Sequence, residues 1–181
     1  MKIKTHIGVS LDGFITSPDG LPAVLSMPTF ESGESHGLPE FIADCGAVVM
    51  GRNTFVPAVG SSHWPWPGLR VFVLTTRPLP EGTPEHVVSA PSPEKLLELM
   101  READFTGDVH LVGGQRTIDA FRRIRALDSF GVVVLPILLG DGMRLTPSGS
   151  TSQYLRLEST RTLEDGSVEH TYTLAADVGA Q

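Results

Sequence analysis

One cysteine, Cys45, in 181 residues excludes an internal disulfide framework and a cysteine-built zinc site together. Basic charge is also scarce, with 14 Lys and Arg against 21 Asp and Glu. A surface that tracks nucleic-acid phosphate needs a basic stripe, so nucleic acid is not an expected partner. An arginine facing a ligand, such as Arg52, Arg77 or Arg116, is therefore a local exception on an acidic background. Long hydrophobic runs are missing as well. The apolar stretch after Met1 is cut by Ser10 and Asp12 before a signal-peptide core forms, and no run approaches the ~20 apolar residues of a membrane span. The expectation is a cytoplasmic protein with no membrane partner and a small-molecule substrate. The 6 histidines are dispersed without metal-ligand spacing, so no metal is expected.

What is present reads as alternation. Apolar runs predict strands at Ile3 to Ser10, Ala47 to Met50, Arg70 to Thr75, Val87 to Val88, Val109 to Val112, Phe130 to Leu135, Tyr154 to Thr162 and Ser167 to Leu174. Helices are predicted at Leu38 to Asp44, Arg52 to Ala58, after Ser92-Pro93, and at Thr117 to Arg125. The almost wholly apolar second strand suits a position covered on both faces. Glu164-Asp165-Gly166 is a tight-turn signal between the last two strands, which predicts an antiparallel hairpin. The expected class is therefore α/β, a mostly parallel central sheet with an antiparallel C-terminal hairpin. One domain is expected over residues 1–175, with a flexible tail at 176–181.

Two segments run from an apolar strand through glycine into a helix: Met50-Gly51-Arg52-Asn53-Thr54 and Leu111-Val112-Gly113-Gly114-Gln115-Arg116-Thr117. Glycine lets backbone approach a ligand closely, and a helix start offers unpaired N–H groups to an anion. Thr75-Thr76-Arg77 ends a strand between them. Ligands of parallel sheets sit beyond the carboxyl ends of the strands, and all three segments fall there, which points to a dinucleotide held at several places. Arg77, with no acid beside it, favours a 2′-phosphate and hence NADPH over NADH. Gly140-Asp141-Gly142 lacks the third glycine and the helix of a dinucleotide fingerprint, and Asp12-Gly13 reads as a turn. Trp64 and Trp66, set among prolines, either wall a substrate pocket, with Trp64 as the substrate-binding candidate, or cover the core edge.

A rival motif is Gly33-Glu34-Ser35-His36-Gly37, which satisfies the G-x-S-x-G pattern of a serine hydrolase with Ser35 as nucleophile. That motif demands a buried strand before it, and Met27 to Ser32 make a poor one.

The ordered set Ser10-Leu11-Asp12-Gly13-Phe14-Ile15, Met50-Gly51-Arg52-Asn53-Thr54-Phe55, Leu74-Thr75-Thr76-Arg77-Pro78, Leu111-Val112-Gly113-Gly114 and Pro136-Ile137-Leu138-Leu139-Gly140-Asp141-Gly142 resembles the dihydrofolate reductase-like family. Within it, the likeness is to stand-alone relatives of the reductase domain of the bacterial riboflavin deaminase-reductase, and it covers nearly the whole chain. The resemblance implies a three-layer α/β/α fold and an NADPH-dependent reductase. Gly51, Arg52 and Thr54 would contact cofactor phosphates, Thr75, Thr76 and Arg77 the 2′-phosphate, and Val112, Gly113, Gly114, Gln115, Arg116 and Thr117 the pyrophosphate. Ile15, Gly20 and Leu21 match the loop that closes over the nicotinamide, with Gly8 beneath it. The implied chemistry is hydride transfer to a pterin-, pyrimidinedione- or flavin-like heterocycle, with Glu40 or water as proton donor. A chain with one cysteine cannot form the zinc deaminase ligands of the bifunctional relatives. A homodimer is expected, with Val132-Val133-Val134-Leu135 and the hairpin as candidate contacts. A non-catalytic NADP(H)-binding module or redox sensor is the alternative.

Overall fold

The computed structural model describes residues 1–31 and 36–174. Glu34, Ser35 and the tail at 176–181, named above, lie outside the described residues.

Among the described residues eight strands form one sheet: β1 (Ile3–Ser10), β2 (Cys45–Gly51), β3 (Arg70–Leu74), β4 (Val87–Ala90), β5 (Asp108–Gly113), β6 (Ser129–Leu135), β7 (Leu155–Thr162) and β8 (Val168–Leu174). Their order is β4-β3-β2-β5-β1-β6-β8-β7. The pairings from β4 through β6 are all parallel, and β8 runs antiparallel to both β6 and β7. The helices are α1 (Leu38–Ala43), α2 (Arg52–Phe55), α3 (Pro93–Glu102) and α4 (Gln115–Arg123), with short 3-10 turns at Ala23–Ser26 and Val56–Ala58.

Successive strand residues point to opposite faces, and the core divides accordingly. Val49, Phe72, Leu111 and Val132 pack against Leu96 and Met100 of α3 and Ile118 and Phe121 of α4. Their neighbours Val48, Met50, Val71 and Val73 pack on the other face against Phe55 of α2. Val133 and Leu135 meet Ala23 and Met27 there. The result is three layers with the sheet in the middle, a dihydrofolate reductase-like architecture.

Local chemistry accounts for the helix ends. Ser92 caps α3, its Oγ accepting the Lys95 backbone N–H at 3.2 Å, with Pro93 in the first turn. Helix α4 begins at Gln115, two residues earlier than its apolar spacing indicates, because Gly114 supplies the extended cap and its carbonyl accepts from Thr117 and Ile118. It ends at Arg123, short of the predicted Arg125, which takes a left-handed φ of 56°.

The expected antiparallel C-terminal hairpin is present. The apolar run Val132 to Leu135 is interior in the sheet: β6 lies between β1 and β8, and Val133 and Leu135 are fully buried. Strand β7 is the outer edge and is exposed along its whole length.

Candidate active site

The carboxyl ends of β3, β2 and β5 lie side by side, since Gly51 pairs with Leu74 and Met50 with Gly113. The three segments singled out in the sequence therefore form one continuous rim. Gly51 caps α2 in ordinary extended conformation, φ −79° and ψ 158°. A Cβ on Gly51 would come within 2.5 Å of Thr117 Oγ1, so glycine is what lets the starts of α2 and α4 approach each other. Gly113 has φ 128°, a conformation that L side chains rarely adopt, and the Gly113–Gly114 peptide is cis. The beginnings of two helices thus face the same rim.

The arginines divide into used and free. Arg52 donates to the Pro78 carbonyl at 2.5 Å, tying the start of α2 to the segment after β3. Thr75 Oγ1 accepts from the Arg77 backbone N–H at 3.0 Å and donates to the Arg77 carbonyl, forming a local turn. The side chains of Arg77 and Arg116 are exposed and have no partner among the described residues. Two uncommitted guanidiniums beside glycine-lined helix starts are a donor set that fits the phosphates of a dinucleotide.

A crevice opens beside this rim. β1 pairs with β5 only at Ile3↔Val109 and Lys4↔His110, whereas it pairs with β6 from Lys4 to Ser10. Beyond His110 the two strands part. The β1–β5 gap is also where the connections change direction: the chain crosses β5 between β1 and β2 and crosses β1 between β5 and β6. Such switch points are where open α/β sheets bind ligands.

The loop after β1 is pinned by Asp12. Its carboxylate accepts from Ser10 Oγ at 2.6 Å and from the backbone N–H groups of Leu139 and Gly140 at 3.1 and 2.7 Å. These bonds, led by the Ser10 hydroxyl, hold the Asp12 carboxyl down to about 2. The turn reading of Asp12-Gly13 thus extends to a tertiary tie, because Asp12 joins the loops after β1 and β6. Met143 N–H bonds Thr16 Oγ1, and a Cβ on Gly114 would meet Met143 Sδ at 3.6 Å, so the Gly140 to Leu145 loop borders the rim.

Other candidates have structural roles of their own. Gly8 makes room for the 3-10 turn, since a Cβ there would meet Val24 and Leu135 at 3.4 Å. Ile15 is buried in the core, its N–H bonded to the Met143 carbonyl and its carbonyl to Ala23. Gly20 and Leu21 are exposed on the loop, and Val112 packs with the β2–β3 cluster. Thr54 is half-buried on α2, and Thr117 is buried. Trp64 has packing contacts of its own. Its ring packs on Phe55, Trp66 and His86 and its indole N–H bonds the Trp66 carbonyl, at the edge of the β2–β3 cluster. Glu40 is 68% exposed and lies 3.9 Å from Arg161 of the edge strand β7. No cluster of metal-ligating residues occurs among the described residues.

Sequence reasoning passed over a histidine group on the α1 side of the sheet. His6 on β1 stacks with Phe41 of α1 at 4.9 Å, and His110 on β5 meets the same ring edge-on at 4.8 Å. Burial drives the His110 pKa down to about 3, so this imidazole is neutral at physiological pH. The signal was strand parity: His6 shares a face with Gly8, and His110 with Val112.

The fold is dihydrofolate reductase-like, with this rim beside the parting of β1 and β5. Residues 1–169 match the RibD C-terminal domain model, and the chain belongs to that family. It is similar to the uncharacterized protein YwjB of Bacillus subtilis, 26% identical over 161 residues, covering 88% of this chain and 91% of that protein. A putative riboflavin biosynthesis protein from Shewanella sp. PV-4 superimposes with a TM-score of 0.76 at 24% identity, over 97% of this chain and 100% of that one. The Thermotoga maritima diaminohydroxyphosphoribosylaminopyrimidine deaminase/5-amino-6-(5-phosphoribosylamino)uracil reductase gives 0.68 at 15% identity, covering 96% of this chain but 56% of that one. No helix among the described residues is long and apolar enough to cross a membrane.

Proposed function

We propose that the chain is an NADPH-dependent reductase acting on a small heterocycle of pterin, pyrimidinedione or flavin type. The observation that carries this reading is the continuous rim of Thr75 to Arg77, Gly51-Arg52 and Gly113-Gly114 on three adjacent strands, beside the parting of β1 and β5. Membership of the RibD C-terminal domain family supports it, as does a solved relative whose name includes a uracil reductase activity.

In this reading Arg77, with Thr75, Thr76 and Arg52, holds the 2′-phosphate, and the start of α4 from Val112 to Thr117 holds the pyrophosphate. Bound there, NADPH supplies the hydride. The chain positions the two reactants and excludes water, and the crevice walls are pinned for that task by Asp12. The proton would come through water or from Glu40, which lies 3.9 Å from Arg161. A homodimer is part of the proposal, with the exposed β7 edge as its contact: Tyr154, Leu155 and Leu157 are 76, 40 and 53% exposed.

Titration with NADPH and NADH, followed by nicotinamide fluorescence, tests the cofactor site. NADPH is expected to bind at least about tenfold more tightly, and Arg77→Ala to erase most of that preference, as loss of a charge-assisted phosphate contact requires. Binding of neither nucleotide sinks the reductase. One alternative is a non-catalytic NADP(H) module or redox sensor. Tight NADPH binding with no oxidation across a panel of pterins, pyrimidinediones, flavins and deazaflavins selects it.

A further inference from the structure

The two sides of the crevice differ in charge. Arg52 follows β2, Arg77 follows β3 and Arg116 follows β5, so these arginines share the dinucleotide rim. On the other side no Lys or Arg occurs between Lys4 and Arg52, a stretch that carries the loop after β1, the 3-10 turn at Ala23–Ser26 and helix α1. The cations that approach this side are engaged. Lys4 pairs with Asp108 at 2.9 Å, and Arg161 pairs with Glu169. The Arg144 guanidinium lies over the Phe14 ring, 4.6 Å from its centroid.

What this side offers instead is apolar. Apart from Met1 and residues 154–157, the large apolar side chains exposed among the described residues all lie beyond the carboxyl ends of strands: Leu11, Leu21 and Leu25 after β1, Val56 after β2 and α2, and Leu138 and Met143 after β6. Leu11, 67% exposed, directly follows β1, and its N–H bonds the Ile137 carbonyl at 2.9 Å, which brings the loop bearing Leu138, 70% exposed, alongside. Met143 stands beside Gly114, the residue after β5, where a Cβ would meet its Sδ at 3.6 Å. Apolar side chains thus flank the ends of both strands that part. The polar groups of the same loops are used within them. Ser10 Oγ donates to Asp12 and accepts from the Phe14 N–H, the Asp12 carboxylate accepts from Leu139 and Gly140, and Thr16 Oγ1 accepts from Met143.

We propose, taking the crevice as the reductase site, that its substrate half accepts a flavin-type tricyclic ring that carries no phosphate. A pterin or pyrimidinedione is small and edged with donors and acceptors, so it needs free polar partners, whereas the benzenoid end of a flavin adds apolar area that Leu11, Leu138 and Met143 can cover. A phosphate ester brings a charge of about −1.5 to −2 at pH 7 and calls for a guanidinium. Beside Leu11 it would meet the Asp12 carboxylate instead, and Arg77 and Arg116 are occupied by the cofactor in this reading.

Quenching of flavin fluorescence tests this without turnover, with riboflavin and riboflavin 5′-phosphate titrated separately in the presence and absence of NADP+. With NADP+ present, riboflavin should bind at least about fivefold more tightly than its phosphate at low salt, and the gap should narrow at about 0.5 M salt, where charges are screened within a few ångströms. Leu11→Lys sets a cation on an exposed position at the end of β1 and should narrow the gap about threefold or more, by tightening the phosphate. Equal or tighter binding of the phosphate, binding of neither flavin, or a gap that Leu11→Lys leaves unchanged would overturn the assignment. NADPH binding without a riboflavin preference removes this substrate class and leaves the reductase standing. A riboflavin preference without NADPH binding keeps the ring site and removes the reductase.

Discussion

Gly51→Ala adds a single methyl group at the junction of α2 and α4, and the structure says what it strikes. The backbone there, φ −79° and ψ 158°, accepts any residue, so the perturbation is steric and not conformational. The new Cβ would lie 2.5 Å from Thr117 Oγ1, with Thr117 Cβ at 3.9 Å and the Gly113 carbonyl at 3.8 Å. Only the hydroxyl is too close. Thr117 is 5% exposed in the first turn of α4, so it cannot swing into solvent, and overpacking at such a site costs about 1–3 kcal/mol. For a domain of this length the melting temperature should fall by roughly 2–12 °C. Thr117→Ala removes the offending atom and leaves ordinary contacts. The double variant should therefore lose much less than the sum of the single losses, a coupling of about 1 kcal/mol or more. Urea unfolding followed by tryptophan fluorescence suits the measurement, because Trp64 and Trp66 both pack on Phe55 of α2. A neutral Gly51→Ala, or an equal cost in the Thr117→Ala background, would refute the packing account and leave ligand approach as the reason for glycine.

The other expectations concern the loops and the opposite end of the sheet. Asp12 titrates at about 2 when folded, below the ordinary carboxylate value, so its contribution is complete near neutrality and is lost as pH falls from about 4 through about 2. Acid titration should show the stability gap between wild type and Asp12→Asn closing over that window; a gap constant with pH would argue against the loop tie. Gly46→Ala would set a Cβ 1.8 Å from the Thr106 carbonyl oxygen, a backbone atom that cannot step aside. Loss of about 3 kcal/mol or more, or failure to fold, is expected by circular dichroism, and a native-like melt would show that the β2–β5 approach is looser than drawn.

Much of the site was legible before the fold. Glycine at a strand-to-helix junction is required by local geometry, as the φ of Gly113 shows, and Ser92-Pro93 announces α3 through bonds made within four residues. Such features depend on neighbours in the chain. Trp64 was ambiguous because a tryptophan among prolines has the same local environment over a pocket and over a core. Glu40 was plausible as an acid on the first helix, but the direction of its side chain depends on Arg161, more than a hundred residues away.

The sequence by itself determined the class of elements, their order and the strand-to-helix glycine junctions, since periodicity, capping and turn chemistry act over a few residues. The tertiary structure alone decided that β5 slots between β2 and β1, that β1 and β5 part after His110, and that β6 is interior while β7 is the edge. It alone brought His6, His36, Asp165 and Glu169 together beneath α1. Strand order and buried polar contacts are settled by which distant surfaces cover one another, and that competition is decided over the whole chain at once.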